Sequence, residues 1–235
     1  MLLGGLQKLT LLDYPGKVAA TVFTAGCNFR CPFCHNPELV LSSRFTVSVG
    51  DNTLEKDFFA FLEKRQGKLD GVCITGGEPT LQNDLIAFIT KIKKMGFLVK
   101  LDSNGSRPDV LRKLLRRKMV DYLAMDIKSS LPNYDRACNM KVDLERIKLS
   151  VDLIKNSGID YEFRTTVVPG LHQEDDFIEI ADWLKGSKRY VLQKYQDSGK
   201  ILDDTLREKI EHFDNFDLEK IRRKIKGKIK EILIR

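Results

Sequence analysis

Long apolar runs are missing from this 235-residue sequence, and none reaches the roughly 18 residues of a membrane-spanning helix. The start, Met1-Leu2-Leu3-Gly4-Gly5-Leu6, lacks the basic segment and extended apolar stretch of a signal peptide. A cytoplasmic location is therefore the expectation. Linkers, low-complexity tracts and internal repeats are absent too, which favours one main domain. With 42% hydrophobic and 31% charged residues, the chain is neither disordered, collagen-like nor a small secreted scaffold. It can bury a core without disulfide staples.

Acidic residues become scarce at one end only. From Glu219 to Arg235 there are two, against eight basic residues: Lys220, Arg222, Arg223, Lys224, Lys226, Lys228, Lys230 and Arg235. This stretch carries +6 of the formal net charge of +7. The rest of the chain is nearly neutral, which argues against a broad nucleic-acid-binding face.

Full disulfide pairing is excluded by the odd count of five cysteines. Cys27, Cys31 and Cys34 fall within eight residues, a clustering that reads as metal or redox chemistry in a cytosolic protein. Cys73 lies in the apolar run Val72-Cys73-Ile74 and reads as a small buried hydrophobe. Cys138 sits among polar residues and gives no functional signal.

Short β-like runs alternate with helical stretches. Strands are expected over 18–24, 70–75, 97–102, 122–127, 159–168 and 189–194. Helices are expected over 52–64, 81–95, 108–118, 143–156 and 175–184. Six such units in a row imply a parallel sheet, doubly wound or closed toward a barrel. The polar motifs all follow strands: the cysteine loop, Gly76-Gly77-Glu78-Pro79, Ser103-Asn104-Gly105 and Asp126-Ile127-Lys128. In α/β folds the C-terminal strand ends form the working face.

A cubane iron–sulfur cluster usually takes four cysteine thiolates, so three leave one iron open. Two rivals exist. Cys31-Pro32-Phe33-Cys34-His35 matches the haem-attachment pattern, but leaves Cys27 idle and needs export. Zinc on Cys27, Cys31, Cys34 and His35 would ask two adjacent residues to reach one tetrahedral ion.

Cys27-x3-Cys31-x2-Cys34, with Phe33 before the last Cys, resembles the cluster loop of the radical S-adenosylmethionine (radical SAM) enzymes. Gly76-Gly77-Glu78-Pro79 resembles that superfamily's methionine-binding motif. Asp13-Tyr14-Pro15-Gly16 and the run Gly26 to Glu38 are similar to the activating enzymes of glycyl radical enzymes. So are Leu101 to Gly105, Met125 to Lys128 and Arg164 to Gly170. Within that group the chain most resembles the activating proteins of anaerobic ribonucleoside-triphosphate reductase.

The resemblance implies an α/β fold, a partial (β/α)6 barrel with parallel strands and outer helices. It spans a core over 1–200, with a basic extension over 201–235 packed on it. It implies one [4Fe–4S] cluster on Cys27, Cys31 and Cys34, with S-adenosylmethionine on the fourth iron. Gly76, Gly77 and Glu78 would hold the methionine amino group, the carboxylate by a charge-assisted hydrogen bond. Phe33 would lie near the adenine, and Ser103 and Asn104 near the ribose or methionine. Lys128 would neutralise the carboxylate, and Arg164 would contact the cofactor or order the site. Asp102, Ser103 and Asp126 could surround a monovalent cation. The plain alternatives are a surface ion pair for Asp126 and Lys128, a helix cap for Asp102 and Ser103, and a helix N-terminal charge for Glu78. His172 reads as a loop residue, and Gln196 stands near where some activases carry a His.

The implied activity is reductive cleavage of S-adenosylmethionine to a 5′-deoxyadenosyl radical, which takes a hydrogen from a glycine of a partner glycyl radical enzyme. The electron would come from a one-electron donor such as flavodoxin or ferredoxin. Neither nucleic acid nor membrane is an expected partner. The 41 residues between Cys34 and Gly76 hold one Cys, too few for additional clusters. The alternative is a radical SAM enzyme acting on a small molecule, like 7-carboxy-7-deazaguanine synthase. Phe216–Lys226 reads as a last helix and Ile229, Ile232 and Ile234 as a short strand. The basic tail is a solvated face, or a surface that steers an acidic donor or the partner.

Overall fold

A computed structural model describes residues 1–41, 53–196, 199–210 and 216–235. In chain order its strands and helices are β1 (Leu3–Thr10), β2 (Ala19–Thr24), α1 (Pro37–Leu41), α2 (Thr53–Glu63), β3 (Gly71–Gly76), α3 (Leu85–Lys94), β4 (Leu98–Ser103), α4 (Pro108–Arg116) and β5 (Tyr122–Asp126). These are followed by α5 (Tyr134–Cys138), α6 (Leu144–Lys155), β6 (Asp160–Val167), α7 (Glu174–Trp183), β7 (Arg189–Lys194), α8 (Asp204–Ile210), α9 (Leu218–Lys224) and β8 (Glu231–Ile234). The chain forms two compact units, Met1–Asn28 with Glu38–Ser103 and Arg107–Ala124, and Phe29–Pro37 with Asn104–Ser106 and Met125–Arg235.

In the first unit β2, β3 and β4 pair in parallel, and β1 runs antiparallel to β2. Residues 19–22 and 71–74 are buried without alternation, as expected of parallel strands covered on both faces. Helix α3 buries Leu85, Phe88, Ile89 and Ile92, one stripe at helical spacing. Phe58 of α2 stacks on Phe88 with ring centroids 5.4 Å apart. The expected helix over 81–95 starts only at Leu85, because Pro79–Leu81 form a separate 3-10 turn capped by Glu78. Thr53 opens α2, and Asn52, expected as its first residue, lies outside the described residues. Strand β1 was not expected. Its glycines and exposed polar residues hide the alternation that marks a strand.

In the second unit β6, β7 and β8 pair in parallel. Asp143 caps α6 by accepting the Arg146 N–H, and Asp176 in the first turn of α7 accepts the Gln173 N–H at 2.8 Å. Asp217 caps α9 through the Lys220 N–H, so this helix begins at Leu218 rather than Phe216. Ile221, Ile225 and Ile229 are buried, and Phe216 packs edge-on against Phe177 of α7. Arg235 grips the fully buried carboxylate of Glu162 on β6 with both guanidinium nitrogens, at 3.0 and 2.9 Å. Every described pairing within a unit is parallel except β1 with β2, and helices separate the parallel strands, so the α/β class is the one expected. Among the described residues no helix is long and apolar enough to cross a membrane.

Candidate active site

In the first unit the loops after β2 and β3 are locked by backbone contacts. The Gly77 N–H donates to Thr24 O and the Glu78 N–H to Gly26 O, both at 2.8 Å. Gly76 has φ +108°, and a Cβ there would meet Thr24 N at 2.4 Å. A Cβ on Gly77 would lie 2.0 Å from Gly26 O, so only glycines let this loop lie against the one that carries Cys27. Glu78 is fully buried. Its Oε1 accepts from the Thr80 N–H at 3.0 Å, from the Thr80 hydroxyl, and from Ser103 Oγ at 2.9 Å. Glu78 and Ser103, expected at one site, are thus joined directly. Asp102, also buried, pairs with the Lys100 ammonium, which reaches Cys73 Sγ at 3.7 Å. Neither Asp102 nor Ser103 caps α4, whose N-cap is Arg107.

The second unit carries Cys31 and Cys34 in one turn, with the Cys34 N–H on Cys31 O at 3.0 Å. Phe33 between them is buried. The Lys128 ammonium sits 6.0 Å from the Phe33 ring centroid and 3.1 Å from Asp126 Oδ2. Arg164 of β6 holds the other oxygen, Oδ1, at 2.8 Å. Burial pushes the Asp126 carboxyl up, but the Arg164 and Lys128 charges prevail and hold it well below the carboxylate range. Burial pushes Lys128 down, and the Asp126 charge overrides it, so the ammonium keeps its proton. These three residues are therefore a half-buried ion triad rather than an exposed pair. Asn104 uses its Oδ1 within its own turn, accepting the Ser106 N–H at 2.9 Å.

Three residues at this site gave no signal in the sequence. His172 is buried, its Nδ1 accepting the Val168 N–H at 3.1 Å. Its Nε2 must then carry the proton, which it donates to Lys128 O at 2.8 Å. Burial pushes this imidazole down, so it stays neutral. Its ring also meets Phe33 edge-on at 6.5 Å. Tyr134 and Cys138, on one face of α5, are fully buried although most residues around them in sequence are polar. The neighbouring Cys138 thiol, with the Lys128 charge, brings the Cys31 thiol down to about 7 despite its burial. Gln196 is exposed, and Tyr195 packs edge-on against His35 at 5.5 Å.

Cys27 belongs to the first unit, and Cys31 and Cys34 to the second. Among the described residues no three His, Cys, Asp or Glu side chains gather as a ready metal-binding group. The donor types nonetheless suit the implied groups. A low-lying thiol beside a cation favours the thiolate that iron needs. Glu78 is a buried carboxylate suited to an ammonium, and Lys128 a held ammonium suited to a carboxylate.

The sequence profile of the Radical SAM superfamily matches residues 21–184. A Methanocaldococcus jannaschii protein assigned to the glycyl-radical enzyme activating enzymes is 36% identical over 83% of this chain and 80% of its own length. The pyruvate formate-lyase-activating enzyme of Streptococcus mutans is 29% identical over 85% of this chain and 79% of its own. The 7-carboxy-7-deazaguanine synthase of Archaeoglobus fulgidus is 30% identical over 73% of this chain and 72% of its own. Among solved structures, coproporphyrinogen III oxidase of Escherichia coli, a radical SAM enzyme, matches with a TM-score of 0.62 at 16% identity. That match covers 91% of this chain and 52% of the oxidase, and at such identity it speaks for the fold alone.

Proposed function

Since the chain belongs to the radical SAM superfamily, and within it to the activating enzymes of glycyl radical enzymes, we propose that it installs a glycyl radical on a partner polypeptide, with anaerobic ribonucleoside-triphosphate reductase as that partner. The observation that carries the reading is the triad Asp126, Lys128 and Arg164, set beside Phe33 and the Cys31–Cys34 turn. A cation held by a shared carboxylate, over an aromatic ring and next to a thiol, suits a zwitterionic cofactor that also carries an aromatic base.

When bound, a [4Fe–4S] cluster with S-adenosylmethionine supplies one-electron chemistry ending in removal of a hydrogen atom. Cys27, Cys31 and Cys34 would hold the cluster. Glu78, with Ser103 bonded to it, would grip the ammonium end of the cofactor and Lys128 its carboxylate. Gly76 and Gly77 leave backbone room that a side chain would fill. Phe33 offers a flat apolar face, Asn104 shapes the turn after Ser103, and Arg164 fixes Asp126 and through it Lys128. A monovalent cation at Asp102, Ser103 and Asp126 has less support, because Lys100 already neutralises Asp102 and two cations already neutralise Asp126.

The electron would come from a small donor protein such as flavodoxin or ferredoxin. The test is anaerobic reconstitution with iron and sulfide, then reaction with dithionite, S-adenosylmethionine and the reductase. A glycyl doublet in the electron paramagnetic resonance spectrum is expected. A spectrum without one, from protein with a full cluster, sinks the partner assignment. The small-molecule reading has less support, because an activating relative matches at higher identity over more of the chain than the deazaguanine synthase does.

A further inference from the structure

Nothing in the proposed chemistry uses His172, a buried polar side chain between β6 and α7. Its backbone and its ring are both tied to Val168. The His172 N–H donates to Val168 O, and the Val168 N–H donates to Nδ1, each at 3.1 Å. The ring also packs against Phe33 and Phe177, with centroids 6.5 and 5.6 Å away. So held, it aims its Nε2–H at Lys128 O, 2.8 Å away. Lys128 stands two residues beyond the end of β5. Its neighbours are pinned from the same β6–α7 segment. Thr165 Oγ1 donates to Ile127 O at 2.8 Å, and the Ser130 hydroxyl donates to the buried Asp176 carboxylate. At Lys128 itself, the contact comes from His172.

A lysine stem is long and flexible, so aiming its ammonium takes an anchor at each end. Asp126 Oδ2, 3.1 Å from Nζ, anchors the tip. We propose that His172 is a positioning residue that anchors the base. Its Nε2–H fixes the Lys128 backbone, and with it the place where the ammonium meets the carboxylate of S-adenosylmethionine. Without that bond the stem starts from a looser point, and the tip alone no longer fixes where the charge sits. The inference rests on the reading that Lys128 takes that carboxylate.

The two ring nitrogens make different bonds, and an amide side chain can copy one at a time. His172→Gln brings an N–H near the Nε2 position and keeps the bond to Lys128 O. His172→Asn reaches only as far as Nδ1 and keeps the bond to Val168. Equilibrium dialysis of the reconstituted protein against S-adenosylmethionine, and against its decarboxylated form, reads the difference. His172→Asn is expected to bind S-adenosylmethionine about tenfold more weakly than wild type, and His172→Gln within about twofold of it. Both are expected to bind the decarboxylated form within about twofold of wild type, because it lacks the group that Lys128 meets. Lys128→Met is the reference. It should lose affinity for S-adenosylmethionine alone, and adding His172→Asn to it should cost nothing further. If His172→Asn does not fold, His172→Phe, which keeps the ring packing and loses both nitrogens, takes its place. Equal affinities in the Asn (or Phe) and Gln variants, equal losses for the two ligands, or a further loss in the double variant overturns the inference while the Lys128 reading stands. A Lys128→Met protein that does not discriminate between the two ligands overturns the Lys128 reading and the inference with it.

Discussion

Single candidate side chains in each unit are held by specific partners, and the consequences differ from residue to residue. Glu78 caps the 3-10 turn through Thr80 and also accepts from Ser103. Glu78→Gln keeps the shape and removes the charge. It is expected to weaken S-adenosylmethionine binding by more than about tenfold, as loss of a charge-assisted bond implies, while cluster content stays constant. Calorimetry on the reconstituted protein checks this. Asp126 has its folded carboxyl held below the unfolded value of about 3.9. Its contribution to stability is full above that value and is lost as pH falls toward the folded one. Asp126→Asn should be less stable than wild type near neutral pH, and the gap should close steadily below about pH 4. Urea unfolding at several pH values reads this directly. The sequence showed Glu78, Asp126, Lys128 and Arg164 as site residues because they stand in motifs. It could not show His172, whose role comes from a contact made across more than forty residues of chain, or the burial of Cys138.

At the scale of elements, two junctions carry much of the architecture. The glycine loop after β3 lies on the loop after β2 with no space for a methyl group. Gly77→Ala should cost about 1–3 kcal/mol in a denaturant melt, the usual price of overpacking. The same change should reduce iron loading, since it displaces the loop that carries Cys27. A melt at the wild-type midpoint would show that the loop can give way. The other junction is the Arg235 fork on Glu162, which joins the last residue to β6. Arg235 is partly exposed, so Arg235→Ala is expected to cost about 1–3 kcal/mol rather than the 3–5 of a fully buried pair. Most strands and helices were legible in the sequence within a few residues, because apolar runs and stripes mark them. Strand β1 and helices α1, α5 and α8 were not. The strand contains glycines and has an exposed centre, and the three helices are only five to seven residues long, too short for a periodic pattern.

For the molecule as a whole, the basic tail changes meaning. Lys220 and Lys224 pair with Glu174, Lys228 with Asp182, and Arg235 with Glu162. Glu174 is brought down to about 2 by its two lysines. Lys226 and Lys230, with Arg222 and Arg223, line a groove of about 490 Å³ over Ile229 and Ile232. That groove lies at the N-terminal ends of β7 and β8, where the Gly186 N–H bonds Lys228 O and the Lys230 N–H bonds Ser187 O. Of the triad, Asp126 and Lys128 stand at and just after the C-terminal end of β5, and Arg164 of β6 is level with Val191 of β7. The groove itself opens at the N-terminal strand ends rather than on the side of the strands from which Asp126 and Lys128 project. Changing Lys226 and Lys230 to Gln should leave donor-driven activation within about twofold of wild type at low salt, where steering is strongest. A larger fall would restore a steering role. Removing residues 217–235 should instead abolish soluble folded protein, because β7 would lose its partner strand and Ile221, Ile225 and Ile229 are core residues.

By itself the sequence determined the chemistry-bearing motifs, the alternation of strands and helices, and the class of cofactor. These are local facts: cysteine spacing, glycine pairs and apolar periodicity are all contained within a few residues. Only the tertiary structure decided which charges neutralise one another, that Lys100 answers Asp102, that His172 is neutral with its proton on Nε2, and that Cys138 is buried. Each depends on burial and on partners distant in sequence, which no short segment contains. The +7 charge shows the same division. Its amount and position follow from composition, but its use is set by the carboxylates of α7 and β6 against which the fold places it.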